Sequence, residues 1–446
     1  MKSSLPKVLH PVAGRAMVQR VVDTALALQA RRIIAITGHQ AEQVEAALYG
    51  ANPQAPLDFA RQMPQLGTGH AVQQAVPHLH DDSVVLVLSG DVPLIRPETL
   101  TQLVQACAGD RLALLTMTLQ DPTGYGRIVR EGDQVRAIVE QKDASPEQRA
   151  LREVYSGILA APARLLKAWL GRITAQNAQG EYYLTDVVAL AVQDGVAVVA
   201  QSTDDPFEVA GVNSLSQLAA LERVAQRRTA EDLMAQGVRL ADPARLDVRG
   251  VLECGPDVVI DIGCVFEGHV VLGEGVQIGA HCVLSSCTLE AGTVVQPFTH
   301  IDGEAAGVRV GAGSRIGPFA RLRPGAVLGR EVHIGNFVEV KNSQLADGAK
   351  ANHLAYLGDA TVGERVNYGA GSITANYDGA NKHRTVIEAD VHVGSNCVLV
   401  APITLGAGGT IGGGSTLTKS TPPGALTVAR GKAVSIPNWQ RPTKKK

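Results

Sequence analysis

Between residues 260 and 417 an apolar position recurs every six residues. Ile260, Phe266, Leu272, Ile278 and Leu284 form a first run, and Val310, Ile316, Leu322, Leu328, Ile334 and Val340 a second. Val393, Leu399, Leu405, Ile411 and Leu417 form a third. Gly follows four members of the second run, at Gly311, Gly317, Gly329 and Gly335. Neither a helix, with its period of about 3.6, nor a strand alternating every second residue produces this spacing. It predicts a parallel β-helix in which each hexad supplies one short strand and a turn, with one apolar side chain directed into a narrow core. Gly permits the corner conformation between strands. The flat outer walls are expected to expose small apolar residues such as Val308, Ala320 and Ala326. Two stretches interrupt the register: Gly303 to Gly307, and the polar insertion Ala375-Asn376-Tyr377-Asp378-Gly379-Ala380-Asn381-Lys382-His383. Inserted loops of a solenoid often carry its function. Pro422-Pro423-Gly424 is read as its end.

The first half follows a different rule. Arg31 to Thr37 and the continuous apolar run Val84 to Leu88 read as strands, the second of buried parallel type. A helical stretch from Ala41 to Leu48 lies between them, and a third strand-like run spans Leu112 to Leu119. Alternating strands and helices predict a mostly parallel, doubly wound sheet. Ligands of such sheets bind beyond the carboxyl ends of the strands, where Ser89-Gly90-Asp91 stands. Residues 214 to 236 predict a helix with Ser214 as cap and Gly237 as stop. The expected division is 1–212, a linker helix at 213–237, and 238–446.

Composition narrows the function classes. The 446 residues exceed one ordinary core. A net charge of −2 gives no basic footprint for nucleic acid or an acidic membrane, and Lys444-Lys445-Lys446 reads as a solvated tail. The scarce aromatics, 4%, and 47 glycines suit a narrow solenoid with many corners. Cys107, Cys254, Cys264, Cys282, Cys287 and Cys397 form no C-x-x-C pair and read as reduced structural thiols. Neither a signal peptide nor a membrane-length apolar run is visible, so a cytoplasmic protein without membrane insertion is expected.

Three segments of the first half carry chemistry. Gln65-Leu66-Gly67-Thr68-Gly69-His70 lets backbone groups approach a flat ligand, although by itself it could be a turn. Leu88-Ser89-Gly90-Asp91-Val92-Pro93-Leu94 puts a carboxylate at a strand end, suited to a magnesium–triphosphate pair. Asp121-Pro122-Thr123-Gly124-Tyr125-Gly126-Arg127 is punctuated by Gly, with Glu140 on the strand-like run after it.

These segments resemble the sugar-nucleotide pyrophosphorylases. With the hexapeptide half, the whole chain resembles the bifunctional bacterial N-acetylglucosamine-1-phosphate uridyltransferases and glucosamine-1-phosphate N-acetyltransferases. The supporting residues run from Leu5-Pro6-Lys7-Val8-Leu9-His10 through Gly180-Glu181-Tyr182-Tyr183-Leu184-Thr185-Asp186 and Gly211-Val212-Asn213. They continue through Arg321-Leu322-Arg323-Pro324-Gly325, Asn352-His353-Leu354, Asn367-Tyr368-Gly369-Ala370-Gly371 and Asn376-Tyr377-Asp378-Gly379. The resemblance implies a Rossmann-like α/β nucleotidyltransferase domain followed by a left-handed parallel β-helix.

It also implies roles. In the first domain Lys7 would neutralise phosphate charge, and Gln62, Gly67 and Thr68 would hold the uracil of UTP. Ser89 and Gly90 would line the site. Asp91 and Asn213 would bind Mg2+, and Gly126, Glu140 and Tyr155 would meet the sugar. In the second, Arg323, Lys341, Tyr356 and Asn367 would bind the sugar phosphate, with His353 as general base. Ala370, Asn376, Tyr377, Ser395, Gly413 and Arg430 would surround acetyl-CoA. A homotrimer acting on small molecules is expected. Tyr155 departs from the Asn usual at its position, Ser89 from Tyr and Gly413 from Ala. The family opens with a first strand and a Gly-rich phosphate loop closed by Met. Here Met1 matches that Met, so an impaired uridylyl step is expected. Competing readings are an acetyltransferase with a degenerate first domain, a non-catalytic trimerisation module, and a nucleotidyltransferase with a regulatory β-helix. The intact set His353, Tyr356, Asn376 and Arg430 weighs against the bare module.

Overall fold

The computed structural model describes residues 3–442 and divides into two compact units, 1–225 and 226–446. In the first, Ile33–Thr37 pairs in parallel with Leu57–Arg61 across the helix Ala41–Ala51. A six-stranded sheet carries the rest, in the order Val198–Ser202, Leu112–Thr118, Glu153–Pro162, Arg127–Glu131, Gln134–Val139, with Val84–Val87 also paired to Glu153–Pro162. Val84–Val87, Leu112–Thr118 and Val198–Ser202 all point the same way, as the β–α alternation predicts. Glu153–Pro162 runs against them, and the sequence gives no hint of it because the strand is buried along most of its length and shows no alternation. Its burial seats Val154, Ile158 and Leu159 between two apolar clusters.

The helix Leu215–Ala235 begins as expected. Ser214 Oγ accepts from Gln217 N at 3.2 Å while Gln217 Oε1 accepts from Ser214 N at 3.0 Å, a reciprocal cap, and Gly237 at φ +95° ends it. The boundary between the units falls inside this helix.

The second unit is a parallel β-solenoid. Every hexad residue named above is buried in one continuous core. Each coil consumes three hexads: Ile316 pairs with Ile334 and Leu322 with Val340, one coil on. The long bent strands Leu246–Cys254, Cys264–Leu272 and Val283–Leu289 turn a corner without breaking, and later coils divide into three short strands each. The register break at residues 303–307 is a loop, as the sequence predicts, and the second is a loop at 376–384, with Ala375 still in strand Ile373–Ala375.

Two expectations are corrected. Val308, Ala320 and Ala326 are not on the outer wall; they are 4%, 2% and 0% exposed. Two positions before the large apolar residue of a hexad the side chain also faces inward, and small residues such as Ala320 and Ala326 fill that place. The solenoid also does not stop at Pro422-Pro423-Gly424, because Leu426–Thr427 still pairs with Thr410–Ile411. Its first pairing among the described residues is at Arg239–Leu240. What one edge does expose is a ladder of rings: His281, Phe298, Phe319 and Phe337 stack with centroids 5.3, 5.1 and 5.4 Å apart. Among the described residues no helix is long and apolar enough to cross a membrane.

Candidate active sites

In the α/β unit three distant segments meet at one ammonium. The single turn Lys7–Leu9 aims Lys7 so that Nζ donates to Asp91 Oδ2 at 2.6 Å and to Asn213 Oδ1 at 3.0 Å. Asp91 follows strand Val84–Val87, and Val212 N donates to its carbonyl at 3.1 Å, which draws in Asn213. The carboxylate and amide oxygens are hard donors converging on a cation, and that donor set fits Mg2+, which keeps most of its waters and needs few protein ligands.

In the same unit Gln62 is buried and donates from Nε2 to Gly67 O at 2.9 Å. Gly67 stands at φ +109° at the head of helix Thr68–Ala75, and a Cβ there would lie 2.6 Å from Tyr182 O, so no other residue fits. Thr68 Oγ1 accepts from Leu184 N at 3.1 Å, and Gly69 N donates to Tyr182 O at 2.8 Å. The glycine-flanked loop is thus clamped to the 180–186 segment rather than being a free turn.

A third group gathers around Glu140, just past strand Gln134–Val139. Its carboxylate accepts from Thr185 Oγ1 at 3.1 Å, and a Cβ on Gly126 would approach it to 3.7 Å. Burial pushes the Glu140 carboxyl above its ordinary value, with Asp143 and Asp186 adding to the rise and Thr185 opposing it. Tyr155 belongs to this group: its N donates to Gly126 O at 2.9 Å, and Glu140's charge acts on its phenol. A Cβ on Gly157 would sit 3.2 Å from Ser89 Oγ, so the same strand reaches from the Glu140 group back to Ser89-Gly90-Asp91. Arg127, for which sequence reasoning found no role, is 1% exposed and ties the group together. It donates to Tyr125 O and, at 2.6 Å, to Gln141 Oε1. Burial lowers its pKa, Arg149 adding to the effect.

On the solenoid the candidates lie in register. Leu354 N donates to Asn336 O, Gly371 N to His353 O, Asn396 N to Ala370 O and Gly414 N to Ser395 O, at 3.0, 3.3, 2.7 and 2.8 Å. Asn336, His353, Ala370, Ser395 and Gly413 therefore form one file down the coils. A Cβ on Gly414 would lie 3.6 Å from Arg430 Cδ, so Arg430 stands at its foot. His353 is exposed, and its Nδ1 lies 2.7 Å from Asn336 Oδ1. With Nδ1–H donating to that oxygen, Nε2 is left as the acceptor facing outward. Asn367 lies on the same wall, one coil beyond Lys350.

Around the corner at Leu354, Arg323 Nη1 donates to Glu339 Oε1 at 2.8 Å, which holds its guanidinium firmly charged, with Tyr356 also within electrostatic range. Lys341 stands on the next coil, and contact with Lys382 and the charge of Arg323 lower its pKa. Three cations crowded together suit a phosphate dianion. Asn376 donates to Asp359 Oδ2, while Tyr377, at the loop tip, is exposed and donates to Gly379 O at 2.6 Å. Glu339, Asp359 and Lys382 were not singled out by sequence. Glu339 was findable, because register sets it between Arg321 and Tyr356 on one wall.

Residues 1–240 match the MobA-like NTP transferase domain, and residues 248–334 match the C-terminal domain of GMPPB. The bifunctional protein GlmU of Albidiferax ferrireducens is 70% identical over 451 residues, covering 100% of this chain and 97% of that protein. The chain belongs to the GlmU family. It is a bifunctional enzyme with an acetyltransferase and a uridylyltransferase activity. The GlmU proteins of Methylibium petroleiphilum and Herminiimonas arsenicoxydans are 68% and 55% identical, again over 100% of this chain. Met1, on which the expected impairment of the uridylyl step rests, lies outside the described residues. Neither the described geometry nor these GlmU relatives support that impairment.

Proposed function

We propose that the solenoid acetylates glucosamine-1-phosphate with acetyl-CoA, and that the α/β unit then transfers UMP from UTP to the product, giving UDP-N-acetylglucosamine and pyrophosphate. The observation that carries this reading is that each unit holds its own constellation: an ammonium on two hard oxygens in one, and an oriented imidazole and a cation cluster in the other.

In the first reaction Arg323, Lys341 and Tyr356 hold the phosphate, and Asn367 lies along the wall that carries the imidazole. The sugar amine attacks the thioester carbonyl, His353 Nε2 takes the amine proton, the C–S bond breaks and CoA leaves as the thiol once protonated. Ala370, Ser395, Gly413 and Arg430 offer a single groove for the CoA chain, with Arg430 suited to its phosphates and Asn376 and Tyr377 at its flank. In the second reaction Gln62, Gly67 and Thr68 hold the uracil. A phosphate oxygen of the sugar attacks the α-phosphorus of UTP, and the bond to the β-phosphate breaks. Lys7 offsets charge on the departing pyrophosphate. Mg2+ held by Asp91 and Asn213 supplies Lewis-acid stabilisation of that charge when bound.

A homotrimer is part of this reading, supported by the half-exposed Phe298, Phe319 and Phe337 along one edge, which identical copies would cover. Light scattering that returns a monomer at micromolar concentration overturns it. A cytoplasmic location accords with six unpaired cysteines, five of them buried. Each reaction is assayed separately to test the function. His353→Ala should lose roughly 10²–10⁴-fold in acetyl transfer and retain uridylyl transfer. Asp91→Ala should do the reverse. A variant that abolishes both, or neither, overturns the division of labour.

A further inference from the structure

Gln62 is 7% exposed, so its side-chain amide must find partners inside the protein. Nε2 donates to Gly67 O at 2.9 Å and lies 3.1 Å from His70 Nδ1. Gly67 O can only accept, which puts the nitrogen end of the amide on that side. Both Nε2 protons are taken once His70 Nδ1 accepts the second, and the imidazole proton then sits on Nε2. Gln74 Nε2 approaches that ring nitrogen at 3.2 Å and competes for the tautomer, but it also donates to His70 O at 3.0 Å and keeps that bond either way. The Gln62 contacts decide, because reversing its buried amide would set oxygen against the Gly67 carbonyl. The ring itself is held in place. It stands in helix Thr68–Ala75, which Gly69 N ties to Tyr182 O, and the Tyr182 ring lies tilted beside it with centroids 6.2 Å apart. What remains of Gln62 is Oε1. Among the described residues no donor meets it, and it is not one of the polar atoms sealed from solvent. It is an acceptor with a fixed aim.

We propose that His70 is a positioning residue for uridylyl transfer: by accepting from Gln62 Nε2 it aims Gln62 Oε1 at the base, and so makes the site select uracil over cytosine. This rests on the reading of Gln62 as a uracil contact. A uracil joined to ribose has a single ring N–H, at N3, and that is the donor an amide oxygen can meet. Cytosine in the same pose turns a lone pair towards Oε1 and leaves both acceptors unpaired. His70 touches Gln62 rather than the nucleotide, so its effect falls on base recognition and not on the phosphorus chemistry.

The test compares wild type with His70→Leu, His70→Asn and His70→Gln, using UTP and CTP. Asn can offer its oxygen where Nδ1 stood, whereas Gln carries its amide out to the place of Nε2. His70→Leu and His70→Gln should raise KM for UTP roughly tenfold, and lower the preference for UTP over CTP in kcat/KM by a similar factor. Turnover at saturating UTP should stay near wild type. His70→Asn should restore both quantities to within about threefold of wild type. Calorimetric Kd values for the two nucleotides read the same preference without turnover, and thermal melting reports the fold. A merely structural role would lower melting temperature and turnover together and leave the preference between the bases where it was. If His70→Leu keeps the wild-type preference, or if Asn and Gln behave alike, the proposal is wrong. Gln62→Ala separates the two levels. If it raises KM for UTP while His70→Leu does not, only the positioning role falls. If it leaves KM for UTP unchanged, or if wild type does not bind UTP, the reading of the base site falls with it.

Discussion

The two sites are built by opposite means. On the solenoid, register places the side chains: Asn336, His353, Ala370, Ser395 and Gly413 occupy one file because each coil repeats the last. In the α/β unit convergence does so: Lys7, Asp91 and Asn213 come from three separate loops and touch through one ammonium. A register site inherits its geometry from a ladder of backbone hydrogen bonds, so a local change shifts it little unless the ladder moves. A convergent site depends on every loop that enters it.

The sharpest break of that comparison is Lys7→Ala. It removes the cation common to the three loops and should cost roughly 10²–10³-fold in uridylyl turnover, with acetyl transfer unchanged. Single-turnover uridylyl transfer at saturating UTP is the measurement, and near-normal turnover would mean that convergence on Lys7 does not matter. Gly335→Ala attacks the ladder instead. A Cβ there would lie 1.9 Å from Asn352 O, so the coils must part. Overpacking of this kind costs about 1–3 kcal/mol. Denaturant melting should show the loss in the solenoid transition, with acetyl transfer falling alongside it.

A smaller effect tests the orientation of the proposed base. Asn336→Ala leaves the His353 ring free to turn and should cost about tenfold in acetyl-transfer kcat, with little change in KM for acetyl-CoA. An unchanged rate would show that register alone aims the imidazole. The smallest effect is electrostatic. Burial, ahead of Asp143 and Asp186, holds the Glu140 carboxyl above its ordinary value. As pH rises the unfolded chain therefore ionises first, and the ligand-free α/β unit loses stability across that window. Glu140→Gln should melt a few degrees higher than wild type at about pH 7.5, and level with it at about pH 4. A gap that persists at the lower pH would refute the burial account.

The hexads Ile316, Leu322 and Leu328 reveal the solenoid because a six-residue period has no other folded solution. Val308 and Ala320 mislead because the same hexad has a second inward position that a small residue can fill, and small residues also suit a surface. The strand Glu153–Pro162 escapes notice because full burial erases alternation. Arg127 lies in a segment that the glycines mark out, but nothing in its neighbours announces a buried guanidinium.

The sequence by itself determined the repeat and the caps of helix Leu215–Ala235, since each of these is written in residues near one another or in motifs of fixed spacing. The tertiary structure decided which distant groups meet. Lys7 bridges Asp91 and Asn213, Asn336 orients His353, and Glu339 holds Arg323. These contacts depend on distances of a few ångströms between segments far apart in the chain, and only the packed backbone fixes them.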